Sequence, residues 1–184
     1  VHAALFHGTT TEEKIANAEK SVAEAMKEKR MTATAELTKI PGHPLHTFTL
    51  ENDALEEILK KCREAAKAGQ VDASLLEELR QLAIHYAKKG DLLYPHLKVK
   101  YGISGPSAVM WTVDDEIRDE LTALAKAERR DEEWMKRFEA VLVRIDEMIY
   151  KEANILFPNC ALNFSTEEWH DIYRDSKDYA ECFG

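Results

Sequence analysis

Lys88-Lys89-Gly90-Asp91-Leu92-Leu93-Tyr94-Pro95 lines up with Lys151-Glu152-Ala153-Asn154-Ile155-Leu156-Phe157-Pro158. Each copy closes a stretch of helical periodicity, and each ends in an apolar pair, an aromatic and a proline. A repeat of this kind predicts a bundle in which two helices play equivalent roles. The mismatches carry the chemistry. His85 in the first copy corresponds to Met148 in the second, and Lys89 corresponds to Glu152.

Working outward from the repeat, four long segments have apolar residues at helical spacing. Segment A covers Pro44 to Ala68, with Leu45, Phe48, Leu55 and Leu59. Segment B covers Ser74 to Leu97, with Leu75, Leu79, Leu82 and Leu93. Segment C covers Ser107 to Glu128, with Met110, Ile117, Leu121 and Leu124. Segment D covers Asp131 to Phe157, with Phe138, Val141, Ile145 and Ile155. Short connections between long helices predict an all-α, up-down-up-down antiparallel four-helix bundle. Ser165-Thr166-Glu167-Glu168 predicts a capping box opening a short C-terminal helix. Thr9 to Arg30 has helical composition, and Met31 to Pro41, with its β-branched residues and Pro-Gly end, reads as a linker. Residues 1–40 are therefore assigned to an N-terminal helical segment and 41–184 to the bundle.

Composition narrows the function. The 184 residues carry 25 basic and 34 acidic side chains, a net charge of −9. That balance argues against binding a phosphate backbone, which needs clustered basic residues. No apolar run approaches the roughly 20 residues that cross a bilayer, and no signal peptide is legible. A cytoplasmic location is expected. Cys62, Cys160 and Cys182 are scattered without a C-x-x-C pattern, so they read as ordinary thiols. No catalytic residue is assigned. No serine or cysteine is paired with a base, and no phosphate-cradling glycine loop is present.

Polar residues interrupt every stripe: Asn52 in segment A, His85 and Lys89 in B, Asp114 in C, Met148 and Glu152 in D. All lie near mid-helix, so they are expected to meet at one level. A buried polar group costs several kcal/mol unless satisfied, and a buried charge costs more. These groups therefore bond one another or bind something. His85 facing Met148 also permits non-covalent haem ligation. Near the start of segment A, His43, His46 and His2 form a candidate second metal site, with Glu51 as a possible fourth member. His7, His96 and His170 read as surface residues.

The segments around His85 and Glu152 resemble the H-x-x-x-E-E-x-x-L-F-P repeats of hemerythrin-like (HHE cation-binding) domains. Several runs are similar, more narrowly, to proteins of the DUF438 type: His43-Pro44-Leu45-His46, His85-Tyr86, Val109-Met110-Trp111, Asp114-Asp115-Glu116-Ile117-Arg118 and Glu167-Glu168-Trp169. The resemblance spans about Pro41 to Tyr179. It implies a non-haem di-iron centre held by histidines and carboxylates from four helices. It also implies a sensor or regulatory role beside a DUF438-like domain and possibly a PAS domain, with Val1-His2-Ala3-Ala4-Leu5-Phe6 similar to the last turn of the former. A homodimer is a further expectation.

Carried over residue by residue, the resemblance makes His85, Glu152 and Asp114 the central metal candidates. Asn52, Lys89, Met148 and Tyr86 line the same layer. Asn52, Asp114 and Met148 stand where the family has histidines, and Lys89 stands where it has a bridging glutamate. The di-iron ligand set is thus depleted. Two further readings follow: a metal-free structural or interaction bundle with a buried Lys-carboxylate-His network, and an iron-dependent peroxidase or oxygen-handling enzyme.

Overall fold

The computed structural model describes residues 11–100, 102 and 105–183. The candidate ligand His2, together with His7 and the Val1–Phe6 run, lies outside the described residues. Helix α1 is Thr11–Thr38, α2 Pro44–Lys67, α3 Ala73–Arg80 and α4 Leu82–Lys88. Then come α5 (Gly105–Lys126), α6 (Glu132–Lys151), α7 (Phe157–Asn163) and α8 (Thr166–Ser176). Among the described residues there is no strand, and no helix is long and apolar enough to cross a membrane.

The all-α bundle has four members: α2, α3 with α4, α5, and α6 with α7. Around the ring, α2 packs on α3, α3 on α5, α5 on α6, and α6 back on α2. The apolar stripes meet at its axis. Leu45, Leu55, Leu59, Leu79, Leu82, Ile117, Leu124, Phe138 and Ile145 are all fully buried. Helix α1 lies across α7 and α2, and α8 covers α2 and the turn Lys89–Leu93 that follows α4.

Local chemistry fixes the ends. The His43 Nδ1 accepts from the Leu45 N–H (3.0 Å), with Pro44 in the first turn, where a missing N–H costs nothing. Asp72 caps α3 and Asp131 caps α6. Ser165 and Glu168 form the expected capping box of α8.

The structure departs from the sequence reading at four places. First, α1 does not stop at Arg30 but runs to Thr38. The hydroxyls of Thr34 and Thr38 bond back to the carbonyls of Arg30 and Ala35, and it is the packing of Leu37 on the core that offsets weak helix propensity. Second, segment B is not one helix. It breaks at Gln81, whose N–H turns to the Glu78 and Leu79 carbonyls. Third, segments B and D each contain a π-helical turn, at Lys89–Leu93 and Glu152–Leu156. The Tyr94 N–H reaches the Lys89 carbonyl, and the Phe157 N–H reaches the Glu152 carbonyl. A further π turn follows at His96–Lys100. Fourth, Pro158 does not end segment D, because it falls in the first turn of α7.

Candidate functional site

The sequence repeat is a repeat of backbone geometry: both copies place a π turn at the first residue that differs, Lys89 in one and Glu152 in the other. Single π turns inside α-helices often mark functional positions. Here they bring Lys89 and Glu152 together at the bundle axis, where both are fully buried.

The Lys89 Nζ donates to Glu152 Oε2 (2.7 Å) and to Asp114 Oδ1 (2.9 Å). The hydroxyl of Tyr94 donates to Asp114 Oδ2 (2.9 Å). Glu152 Oε1 accepts from Asn52 Nδ2 (3.0 Å) and lies 2.7 Å from His85 Nε2. The other nitrogen of that ring, Nδ1, is 2.8 Å from Glu51 Oε1. Glu51 Oε2 in turn accepts from Lys88 Nζ (2.5 Å) and the thiol of Cys182 (2.9 Å).

The protonation of His85 follows from this geometry. A neutral imidazole has one donor and one acceptor nitrogen, whereas an ionised carboxylate only accepts. Both nitrogens of His85 face carboxylate oxygens, so both carry protons. Burial alone would push its pKa down, but the Glu152 charge and the two carboxylate hydrogen bonds outweigh that, and the pKa is raised. Burial pushes Glu152 up, yet His85 and Lys89 hold it down at about 2. Burial raises Asp114 to about 6 against the pull of Lys89. Glu51 is lowered because hydrogen bonds from His85, Cys182 and Lys88 overcome its own burial. The layer therefore holds carboxylates Glu51, Asp114 and Glu152 against cations His85, Lys88 and Lys89, and it is electrically neutral.

Of the sequence candidates, His85, Glu152, Asp114, Asn52 and Lys89 come together here. The ring of Tyr86 lies under Lys89 Nζ, 4.4 Å from the ring centroid. Met148 is fully buried in the surrounding core. His43 and His46 are neighbours, but no metal-holding group of three or more side chains forms around them among the described residues. The His43 Nδ1 is spent on capping α2, its ring leans on Trp169 (4.5 Å), and burial lowers its pKa to about 4. His46 Nδ1 bonds the Thr38 carbonyl (2.7 Å). Glu51 joins His85 instead of these two, because the eight residues from His43 amount to about 12 Å of helix rise. His96, read as a surface residue, is half-buried beside Phe164.

Sequence reasoning missed Lys88, Tyr94 and Cys182. Lys88 was legible as the residue three after His85, on the same face. Tyr94 was legible as the aromatic of the repeat. Cys182 comes from the chain's tail, far from any periodic pattern, and carried no signal.

Iron needs donors with free lone pairs, and an ammonium has none. Lys89 Nζ stands between the two carboxylates that a metal would have to share, and both His85 nitrogens point protons at carboxylates. The residues present do not fit a di-iron centre. They do not fit haem either, since His85 has no nitrogen to spare for an axial bond. Among the described residues, no group of three or more His, Cys, Asp or Glu side chains is arranged to hold a metal ion.

No curated protein matches the chain. Residues 43–160 match the family model of the hemerythrin HHE cation-binding domain, a span that runs from the cap of α2 through the three π turns into α7. The chain is a member of the hemerythrin HHE cation-binding domain family, with a lysine-centred charge network at the heart of its bundle.

Proposed function

We propose that this domain works as a regulatory or interaction module whose central layer is held together by its own charges, with the ammonium of Lys89 in the role that a metal ion plays in a cation-binding relative. The observation that carries this reading is the position of Lys89 Nζ, 2.7 Å from Glu152 Oε2 and 2.9 Å from Asp114 Oδ1. A cation fixed to the backbone cannot be lost or exchanged, so the bundle keeps one shape regardless of metal supply. Every charged group of the layer is paired, while Asn52 Oδ1 and the Tyr86 hydroxyl have no protein partner, and paired buried charges of this kind favour one core arrangement. A setting beside a DUF438-like domain, and possibly a PAS domain, is supported by the resemblance of His43-Pro44-Leu45-His46 and Asp114-Asp115-Glu116-Ile117-Arg118 to proteins of that type. In that setting the bundle passes a signal between neighbours by contact, without metal chemistry.

The test is metal content after expression in iron-supplemented medium, for the wild-type chain and for Lys89→Glu. The wild type is expected to hold well under one iron per chain. The variant replaces the fixed cation with a third carboxylate and is expected to gain bound iron. Two irons per wild-type chain with an oxo-bridged absorption spectrum, or a Soret band, would overturn the proposal.

A further inference from the structure

The N-terminal part of α1 has no cover within the described chain. Every residue from Thr11 to Lys29 is exposed, including Ile15 (55 %), Val22 (59 %) and Met26 (50 %). This is about 28 Å of helix standing clear of the bundle. In proteins most helical stability comes from packing an amphipathic face, and this stretch packs no face within the described chain.

The uncovered side chains are not scattered. Ile15, Val22, Met26, Ala33 and Leu37 follow one another at steps of seven and four, which keeps them on one stripe. The last two already pack: Ala33 is half-buried, and Leu37 rests against the core. The exposed stripe is therefore the continuation of a contact that the bundle makes farther down the same helix. Ala18 sits beside it and leaves room for a close neighbour.

Charge identifies that neighbour. The start of α1 is acidic, with Glu12, Glu13, Glu19 and Glu24 against Lys14 and Lys20. The stretch that follows is basic, with Lys27, Lys29 and Arg30 against Glu28. Laying a second copy antiparallel, so that Ile15 meets Met26, places Val22 opposite Glu19, with Ala18 the next residue along. The same register sets Glu12 against Lys29 and Arg30. The apolar stripe and the opposite charges at the two ends of the segment thus both favour an antiparallel arrangement.

We propose that residues Thr11–Arg30 of α1 are a self-association surface, on which two copies of this chain pair as an antiparallel two-helix coil. The contact joins bundles without touching the buried charge layer and stands independently of the function proposed for it.

Light scattering and disulfide trapping test this together. The 184-residue chain at high micromolar concentration is expected to show twice the 21.0 kDa of one chain. The double variant Ile15→Glu, Val22→Glu is expected to be monomeric with an unchanged melting temperature, since neither side chain packs on the bundle. A mixture of Ile15→Cys and Met26→Cys chains is expected to oxidise to a mixed dimer; the native thiols are buried. A monomeric wild type overturns the proposal, as does a dimer that survives the double variant. Crosslinking of Ile15→Cys to itself without the mixed product shows a parallel pair and overturns the antiparallel assignment.

Discussion

Lys89 decides what the central layer can be. Its Nζ is fully buried between Glu152 and Asp114, and it lies over the rings of Tyr86 and Tyr94, 4.4 and 5.8 Å from their centroids. Removing one partner of a buried ion pair leaves an uncompensated charge and costs about 3–5 kcal/mol. We expect Lys89→Met to lose stability on that scale in urea unfolding at neutral pH, although methionine nearly fills the same volume. A loss within ~0.5 kcal/mol, the range of surface changes, would mean that the ammonium is not paired as described.

The same residues set a pH profile. The pKa of His85 is raised above its ordinary 6.5, so the imidazolium stabilises fully below that value and the gain is lost as pH rises through the folded pKa. Glu152, held at about 2 from an ordinary 4.5, stabilises above 4.5 and loses that contribution as pH falls toward 2. Asp114, raised to about 6 from 3.8, carries a buried charge that costs stability above 6 and is relieved on acidification toward 3.8. Together these place the greatest thermal stability near about pH 5, with a decline on either side. We expect His85→Gln to flatten the alkaline limb of a melting-temperature profile. An alkaline limb unchanged in that variant would place its origin in another group.

At the scale of elements, the π turns explain why the repeat was readable and its consequence was not. Periodicity locates a helix but does not distinguish an α turn from a π turn one residue wider, so segments B and D read as unbroken. Gly90 lies inside the first π turn, and its place suggests a demand for glycine. The space says otherwise: a Cβ there would meet Trp111 Nε1 at 3.6 Å, ordinary contact. We expect Gly90→Ala to be neutral or stabilising by up to about 1 kcal/mol in thermal unfolding, from reduced freedom of the unfolded chain. A loss beyond ~1 kcal/mol would show that the turn relies on glycine.

The tail after α8 acts as a strap. The thiol of Cys182 bonds Glu51, the Phe183 N–H donates to Gln81 Oε1 (2.8 Å), and the hydroxyl of Tyr179 bonds Asp91. It closes the end of the charge layer at Glu51 and Lys88. Removing residues 177–184 opens that end to water. We expect the melting temperature to fall by several degrees, at roughly 2–4 °C per kcal/mol for a domain of this size, and an unchanged melt would show that the strap adds nothing.

For the molecule as a whole, the bundle was legible because apolar stripes at helical spacing leave few other ways to bury Leu45, Leu79, Ile117 and Phe138. The level at which Asn52, His85, Lys89, Asp114 and Glu152 meet was legible for the same reason, since each interrupts a stripe near its middle. What escaped was contact set by side-chain reach and by chain return. Glu51 sits one residue off the stripe position of Asn52, yet its longer side chain bends to His85. Cys182 arrives from a segment with no periodic constraint. The charge balance of the layer depends on Glu51 and Lys88, so its neutrality emerged only from the structure.

That neutrality requires His85 to be a cation, and nitrogen-15 NMR of its ring at neutral pH reports this directly. Both Nδ1 and Nε2 are expected to carry slowly exchanging protons, with the shifts of an imidazolium, in the wild-type chain. A ring with one bare nitrogen, or signals broadened by a paramagnetic neighbour, would contradict a layer held by its own charges.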